Sequence, residues 1–154
     1  NPNNGNDVYC FMDEFANIGA IPNITSIIST VRKKRVHLSL ILQSYDQLVD
    51  VYGNQKAKII LENCNSKLFY GGLSYESCRI VSDMIGVMTE TYSEKGIFES
   101  NEPVNRTTRR LMTPDEVRTL SENECLFIHG NHKPFKLKTK PFFKNSTLKK
   151  RSKL

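Results

Sequence analysis

The sequence predicts a three-layer α/β domain, and three observations carry that prediction. Short apolar runs recur, first Val8-Tyr9-Cys10-Phe11-Met12 and then Leu38-Ser39-Leu40-Ile41-Leu42, the pattern of strands buried on both faces. Between them Ile24, Ile27, Ile28 and Val31 fall at i, i+3, i+4 and i+7, which is one face of a helix. The alternation of strand and helix then repeats as far as Gly86, as layered α/β domains require.

Residues 1–7, rich in Asn, Pro and Gly, form a polar lead-in to the first strand. The first helix spans about 22–34, with Pro22 near its start. Its length suits a crossover that returns the chain parallel to the first strand. Asn54 can cap a helix carrying Ala57, Ile60 and Leu61, and Lys67–Tyr70 reads as a third strand ending at Gly71-Gly72. Ser74 can cap the next helix, with Glu76 in its first turn, Val81, Met84 and Ile85 inward, and Gly86 as terminator. Beyond it, Val87–Ser93 and Arg106–Leu111 are candidate strands around a polar loop. Thr113-Pro114-Asp115-Glu116 is a capping box that opens a short helix. Cys125–His129 and Phe135–Thr139 flank Gly130-Asn131 as a hairpin. The main domain is set at 1–143, and residues 144–154 read as a basic, disordered tail.

The chain has 154 residues, enough for one core, and its 25% charged residues argue against membrane-spanning and disordered classes. Its longest apolar runs are about five residues, against the roughly 20 a spanning helix needs. The formal charge of +6 is unevenly placed: all 16 acidic residues lie within 1–132, whereas nine of the 22 basic ones lie in 133–154. A mildly acidic body therefore carries a basic end. The sequence-independent, salt-sensitive contacts of such an end with a phosphate backbone would fall on Lys149, Lys150 and Arg151. The four cysteines form no C-x-x-C pair, and Cys10 and Cys125 sit in apolar runs as reduced, buried thiols do. His129-x-x-His132 has no accompanying cluster and reads as a hairpin turn rather than a metal site.

Asp13-Glu14 directly follows the first strand, where open α/β sheets place their ligands. Phosphoryl-transfer enzymes use such a pair: one carboxylate holds Mg²⁺ through its waters, the other orients and activates the attacking water. Asp13 is assigned to the metal and Glu14 to the water. The plainer alternative is an acidic loop start. Gln43 follows the second strand at the equivalent position, where its amide can bond a γ-phosphate or the water, or simply cap a helix. Arg32-Lys33-Lys34-Arg35 ends the first helix, either as cations complementing its dipole or with Arg32 as an arginine finger reaching a neighbouring subunit's phosphates.

Phe11-Met12-Asp13-Glu14-Phe15-Ala16-Asn17-Ile18-Gly19, Ile41-Leu42-Gln43-Ser44 with Gln47-Leu48, Tyr52-Gly53 and Asn63-Cys64 together resemble the type IV secretion coupling proteins. These are the TraG/TraD-like conjugative ATPases, and the wording is nearest to Gram-positive forms. The match is strongest over residues 8–86 and continues more loosely through Leu111–Glu116 and the hairpin. The resemblance implies a RecA-like P-loop NTPase core, a parallel sheet flanked by helices, assembled as a homo-hexamer on the cytoplasmic face of the bacterial membrane. It also implies ATP and Mg²⁺ as cofactors. The implied partners are single-stranded DNA, a relaxase or relaxosome, and type IV secretion channel proteins. Asp13 and Glu14 match the family's Walker B acids, Gln43 the glutamine of its third motif, and Arg32 an arginine of the intersubunit site.

One departure limits the expectation. None of the eight glycines begins G-x-x-x-x-G-K-[ST], the loop that cradles phosphates. The chain therefore reads as the C-terminal part of a motor domain. Alone it is expected neither to bind ATP tightly nor to hydrolyse it, and to be a monomer or an artefactual dimer through an exposed sheet edge. The competing readings are a non-catalytic module that binds relaxosome or channel proteins, and an FtsK-like or HerA-like DNA-pumping ATPase.

Overall fold

A computed structural model of the chain describes residues 6–92 and 105–152. The chain divides into two compact units, 1–67 and 68–154. In the first, strand β1 (Val8–Met12) and strand β2 (Val36–Leu40) pair in parallel, with Val8 opposite Val36 and Met12 opposite Leu40. Helix α1 (Ile24–Val31), extended by a 3₁₀ turn over Arg32–Lys34, makes the crossover the apolar spacing predicts. At the start of the pair, the Val8 N–H donates to the Arg35 carbonyl, and Arg35 forms an ion pair with Asp7 at 2.9 Å. The guanidinium hydrogen bond holds the Asp7 carboxyl below its ordinary range.

Strands buried on both faces are not what forms here. Tyr9 and Phe11 are 64% and 73% exposed, and Ile41 lies on the same open face. A crossover helix covers one side of its strand pair. Accordingly Met12 and Leu40 pack against the core of Phe15, Ile24, Leu48, Ala57 and Ile60, while the opposite face stays bare among the described residues. Tyr9 stacks on His37 across the register at 4.7 Å.

Helix α2 runs over Tyr45–Asn63, beginning well before the Asn54 start that the sequence suggests. Ser44 caps it by accepting from the Gln47 N–H, and a kink at Gly53 (φ 75°, ψ 158°) divides it. The expected helix is the half beyond that kink.

In the second unit, helix α3 (Tyr75–Ile85) is capped by Ser74 and stopped at Gly86, as predicted. Its inner face is Cys78, Val81, Ser82 and Ile85; Met84 is turned outward, correcting its assignment to the core. The strands flanking α3 are β3 (Ser66–Tyr70) and β4 (Val87–Tyr92), and β4 pairs antiparallel with β5 (Asn105–Arg110). The connecting polar loop, Ser93 included, lies outside the described residues. Helix α4 (Pro114–Arg118) has its full capping box: the Thr113 hydroxyl accepts from Glu116 N, and Glu116 accepts from Thr113 N at 2.7 Å.

Strand β6 (Glu124–His129) forms the predicted hairpin with β7 (Phe135–Lys138), and β3 joins them in the order β3-β6-β7. The architecture is thus α/β with parallel and antiparallel pairs; the connection from β6 to β7, residues 130–134, is too short for a parallel crossover. The unit's core is Cys78, Val81, Ile85, Val117, Leu120 and Leu126. Gly71 passes so close to α4's exit that a Cβ there would lie 2.3 Å from the Leu120 carbonyl oxygen.

Within the basic end, residues 146–151 are helical. Asn145 caps helix α5 (Ser146–Arg151) by accepting from the N–H groups of Thr147 and Leu148. No helix of the described residues is long and apolar enough to cross a membrane.

Candidate functional site

The carboxyl ends of β1 and β2 are stitched together by backbone hydrogen bonds. Ile41 N donates to the Met12 carbonyl at 3.0 Å, and Phe15 N donates to the Ile41 carbonyl at 2.9 Å. The chain therefore leaves both strands at one place, with Asp13-Glu14 on one exit and Gln43 on the other.

Glu14 is held in a left-handed conformation (φ 47°, ψ 48°), unusual for a residue with a side chain. The turn it starts is a 3₁₀ segment over Phe15–Ile18, whose Phe15 and Ala16 are buried. That burial throws the side chains before and after it outward. Glu14 Oε1 accepts from Gln43 Nε2 at 3.2 Å, and Glu14 Oε2 accepts from Asn17 Nδ2 at 2.6 Å. The Asp13 carboxylate accepts from its neighbour's backbone, Glu14 N, at 3.1 Å. Asp13, Glu14 and Gln43 are all exposed.

The structure thus brings together three of the residues singled out from sequence: Asp13, Glu14 and Gln43. Arg32 is not with them in the same chain. Its backbone opens the 3₁₀ turn before β2, whereas Gln43 lies beyond the strand's other end, at about 3.3 Å per residue of separation. Its side chain lies outside the described residues. Lys149, Lys150 and Arg151 occupy the exposed last turn of α5, in the second unit.

Two further residues shape the site. Asn17 holds Glu14 directly, as above. Tyr52 supports the turn from beneath: its hydroxyl accepts from Ile21 N at 3.1 Å and donates to the Gly19 carbonyl at 3.2 Å, and its ring stacks on Phe15. The helical spacing of Tyr45, Leu48, Val49 and Tyr52 is visible in the sequence and would have placed Tyr52 on the core side of α2. Nothing local signals Asn17's bond.

Among the described residues no three His, Cys, Asp or Glu side chains gather as a metal cluster. Tyr45 and Tyr52 pack against the core. His129 stacks on His132 in the hairpin. All four cysteines are free, with Cys10 half-buried rather than buried. Burial pushes the Cys64, Cys78 and Cys125 thiols above their ordinary value.

The chain is similar to known proteins over most of its length. VirD4 of Agrobacterium fabrum is 24% identical over 149 residues, which is 94% of this chain and 22% of VirD4; VirD4 of Rhizobium rhizogenes is 23% identical over the same extent. The chain spans about a fifth of the length of these curated relatives. Among solved structures, the bacterial conjugative coupling protein TrwBdeltaN70 superposes with a TM-score of 0.77 at 20% identity, covering 89% of this chain and 32% of that one. TrwB in complex with ADP and Mg²⁺ superposes with a TM-score of 0.70 at 21% identity, covering 87% and 30%. At such identities the likeness establishes the fold, the RecA-like α/β core. A family model described as "TraM recognition site of TraD and TraG" matches residues 7–122. The chain belongs to that family, the C-terminal region of the type IV coupling proteins.

Proposed function

We propose that this chain is the Walker B and third-motif portion of a conjugative coupling ATPase, one that links ATP hydrolysis to transfer of single-stranded DNA and attached relaxase into a type IV secretion channel. The observation that carries the reading is the hydrogen bond between Gln43 and Glu14 across the two strand ends. A loop-start acid has no need of a facing amide from the next strand, whereas a site that must sense a γ-phosphate does.

The residues present fit Mg²⁺ held mostly by water and phosphate oxygens. A hard cation of this kind takes one or two carboxylates, and Asp13 offers one at an exposed strand end. Bound there, Mg²⁺ would neutralise charge on the transferring phosphoryl group. Glu14 then accepts a proton from the attacking water, whose oxygen bonds the γ-phosphorus as the bond to the ADP oxygen breaks. Gln43 holds either Glu14 or the water and phosphate, so its position reports the nucleotide state. Arg32, at the far end of β2, serves a neighbouring subunit of the hexamer rather than its own site. With no phosphate-cradling loop among its residues, the chain alone is inactive.

The test is ATP turnover by the full-length coupling protein carrying this segment, with and without Glu14→Gln, beside the 154-residue chain alone. Turnover that vanishes with Glu14→Gln and is absent from the chain alone supports the reading. Robust turnover by the chain alone, or by full-length Glu14→Gln, contradicts it.

A further inference from the structure

Glu14 is the residue the proposed function asks to take a proton, yet both its carboxylate oxygens are already engaged by amide donors. The two donors differ in how they are mounted. Gln43 projects from the segment between β2 and the cap of α2, on a longer side chain, with the longer bond of 3.2 Å. Asn17 sits three residues from Glu14 on the 3₁₀ turn, with the shorter bond of 2.6 Å.

That turn is fixed from several sides. Phe15 is 0% exposed and stacks on Tyr52 at 5.7 Å. Asn17 N donates to the Glu14 carbonyl at 2.7 Å, and the Tyr52 hydroxyl joins the backbone at Gly19 and Ile21. Asn17 therefore has little freedom to leave, and the left-handed backbone of Glu14 presents the carboxylate to it.

We infer that Asn17 is the positioning residue for Glu14: it holds one carboxylate oxygen through the whole nucleotide cycle, while Gln43 holds the other only until a γ-phosphate draws its amide away. The oxygen that Gln43 releases is then the one free to accept the proton of the attacking water, and Asn17 keeps that oxygen aimed. A carboxylate retained by a single fixed donor loses little orientation when its second donor departs, so the base is parked and armed without moving its backbone. This rests on the function proposed above, and it adds an orienting residue which that function does not require.

The experiment uses the full-length protein with Asn17→Ala, Asn17→Asp, Asn17→Gln and Glu14→Gln, reading kcat, the KM for ATP and thermal unfolding. Asn17→Ala is expected to lower kcat about tenfold or more with KM within about twofold, because orientation of the base enters only the chemical step. Asn17→Asp, nearly isosteric but facing Glu14 with a carboxylate, is expected to fall at least as far. Asn17→Gln, which restores an amide donor, recovers part of the loss. Unchanged kcat in Asn17→Ala and Asn17→Asp, with Glu14→Gln inactive, overturns the role of Asn17 and leaves the proposed function standing. So does a kcat loss that Asn17→Gln shares in full, or one that follows a lowered unfolding temperature. Retained turnover in Glu14→Gln overturns both.

Discussion

The Tyr52 hydroxyl donates to the Gly19 carbonyl at 3.2 Å across 33 residues of sequence, joining the middle of α2 to the turn that follows β1. The same oxygen accepts from Ile21 N. Tyr52→Phe keeps the ring on Phe15 but removes both bonds. The expected loss is about 1–2 kcal/mol of unfolding free energy, read by urea denaturation. An unchanged midpoint would mean that the turn is held by the burial of Phe15 and Ala16 alone.

Gly53 allows α2 to break and restart. Its φ of 75° with ψ of 158° is a region open to glycine and costly to other residues, although a Cβ there meets nothing within 4 Å. Gly53→Ala is expected to cost about 1–3 kcal/mol through backbone strain rather than collision. Gln55→Ala, on the exposed face nearby, is the control and is expected to be near neutral. Equal behaviour of the two variants would remove the kink as a structural requirement.

Glu116 makes the second unit sensitive to acid. The Thr113 N–H bonded to its carboxylate, with Arg109 alongside, holds its pKa below the ordinary 4.5. A lowered folded-state value stabilises the fold fully above about 4.5, and that contribution disappears as pH falls through the folded-state value. The unfolding temperature of the wild type is therefore expected to exceed that of Glu116→Gln near neutral pH, with the gap narrowing as pH falls below about 4.5. A gap that stays constant across this range would show that the box acts through its neutral hydrogen bonds only.

Most of the fold was legible because its signals are local. Val8–Met12 is a short apolar run, Ser74 and Thr113 are caps in their proper places, and Gly130-Asn131 sits in a hairpin turn. Where the sequence misleads, the deciding information is non-local or a local signal has two meanings. Gly53 looks like punctuation before a helix start at Asn54, yet Ser44 and the spacing of Tyr45, Leu48, Val49 and Tyr52 already begin that helix. Apolarity predicts that β1 is buried twice, but only the Met12 face meets a helix layer. At the site, the shared exit of Asp13, Glu14 and Gln43 follows from parallel pairing and could be read from the chain. Asn17's bond could not, because it depends on Phe15 and Ala16 turning inward and on Glu14 adopting a left-handed backbone.

The most direct measurement is ATP turnover, with nucleotide binding measured alongside, in the full-length coupling protein carrying Glu14→Gln or Gln43→Ala. Glu14→Gln is expected to keep ATP binding and lose at least about a hundredfold in kcat, as removal of a general base does. Gln43→Ala is expected to lose turnover as well, because the amide that bonds Glu14 is gone and, on the proposed reading, so is its sensing of the nucleotide. Wild-type turnover in Glu14→Gln would contradict the assignment of this strand-end pair as the hydrolytic centre.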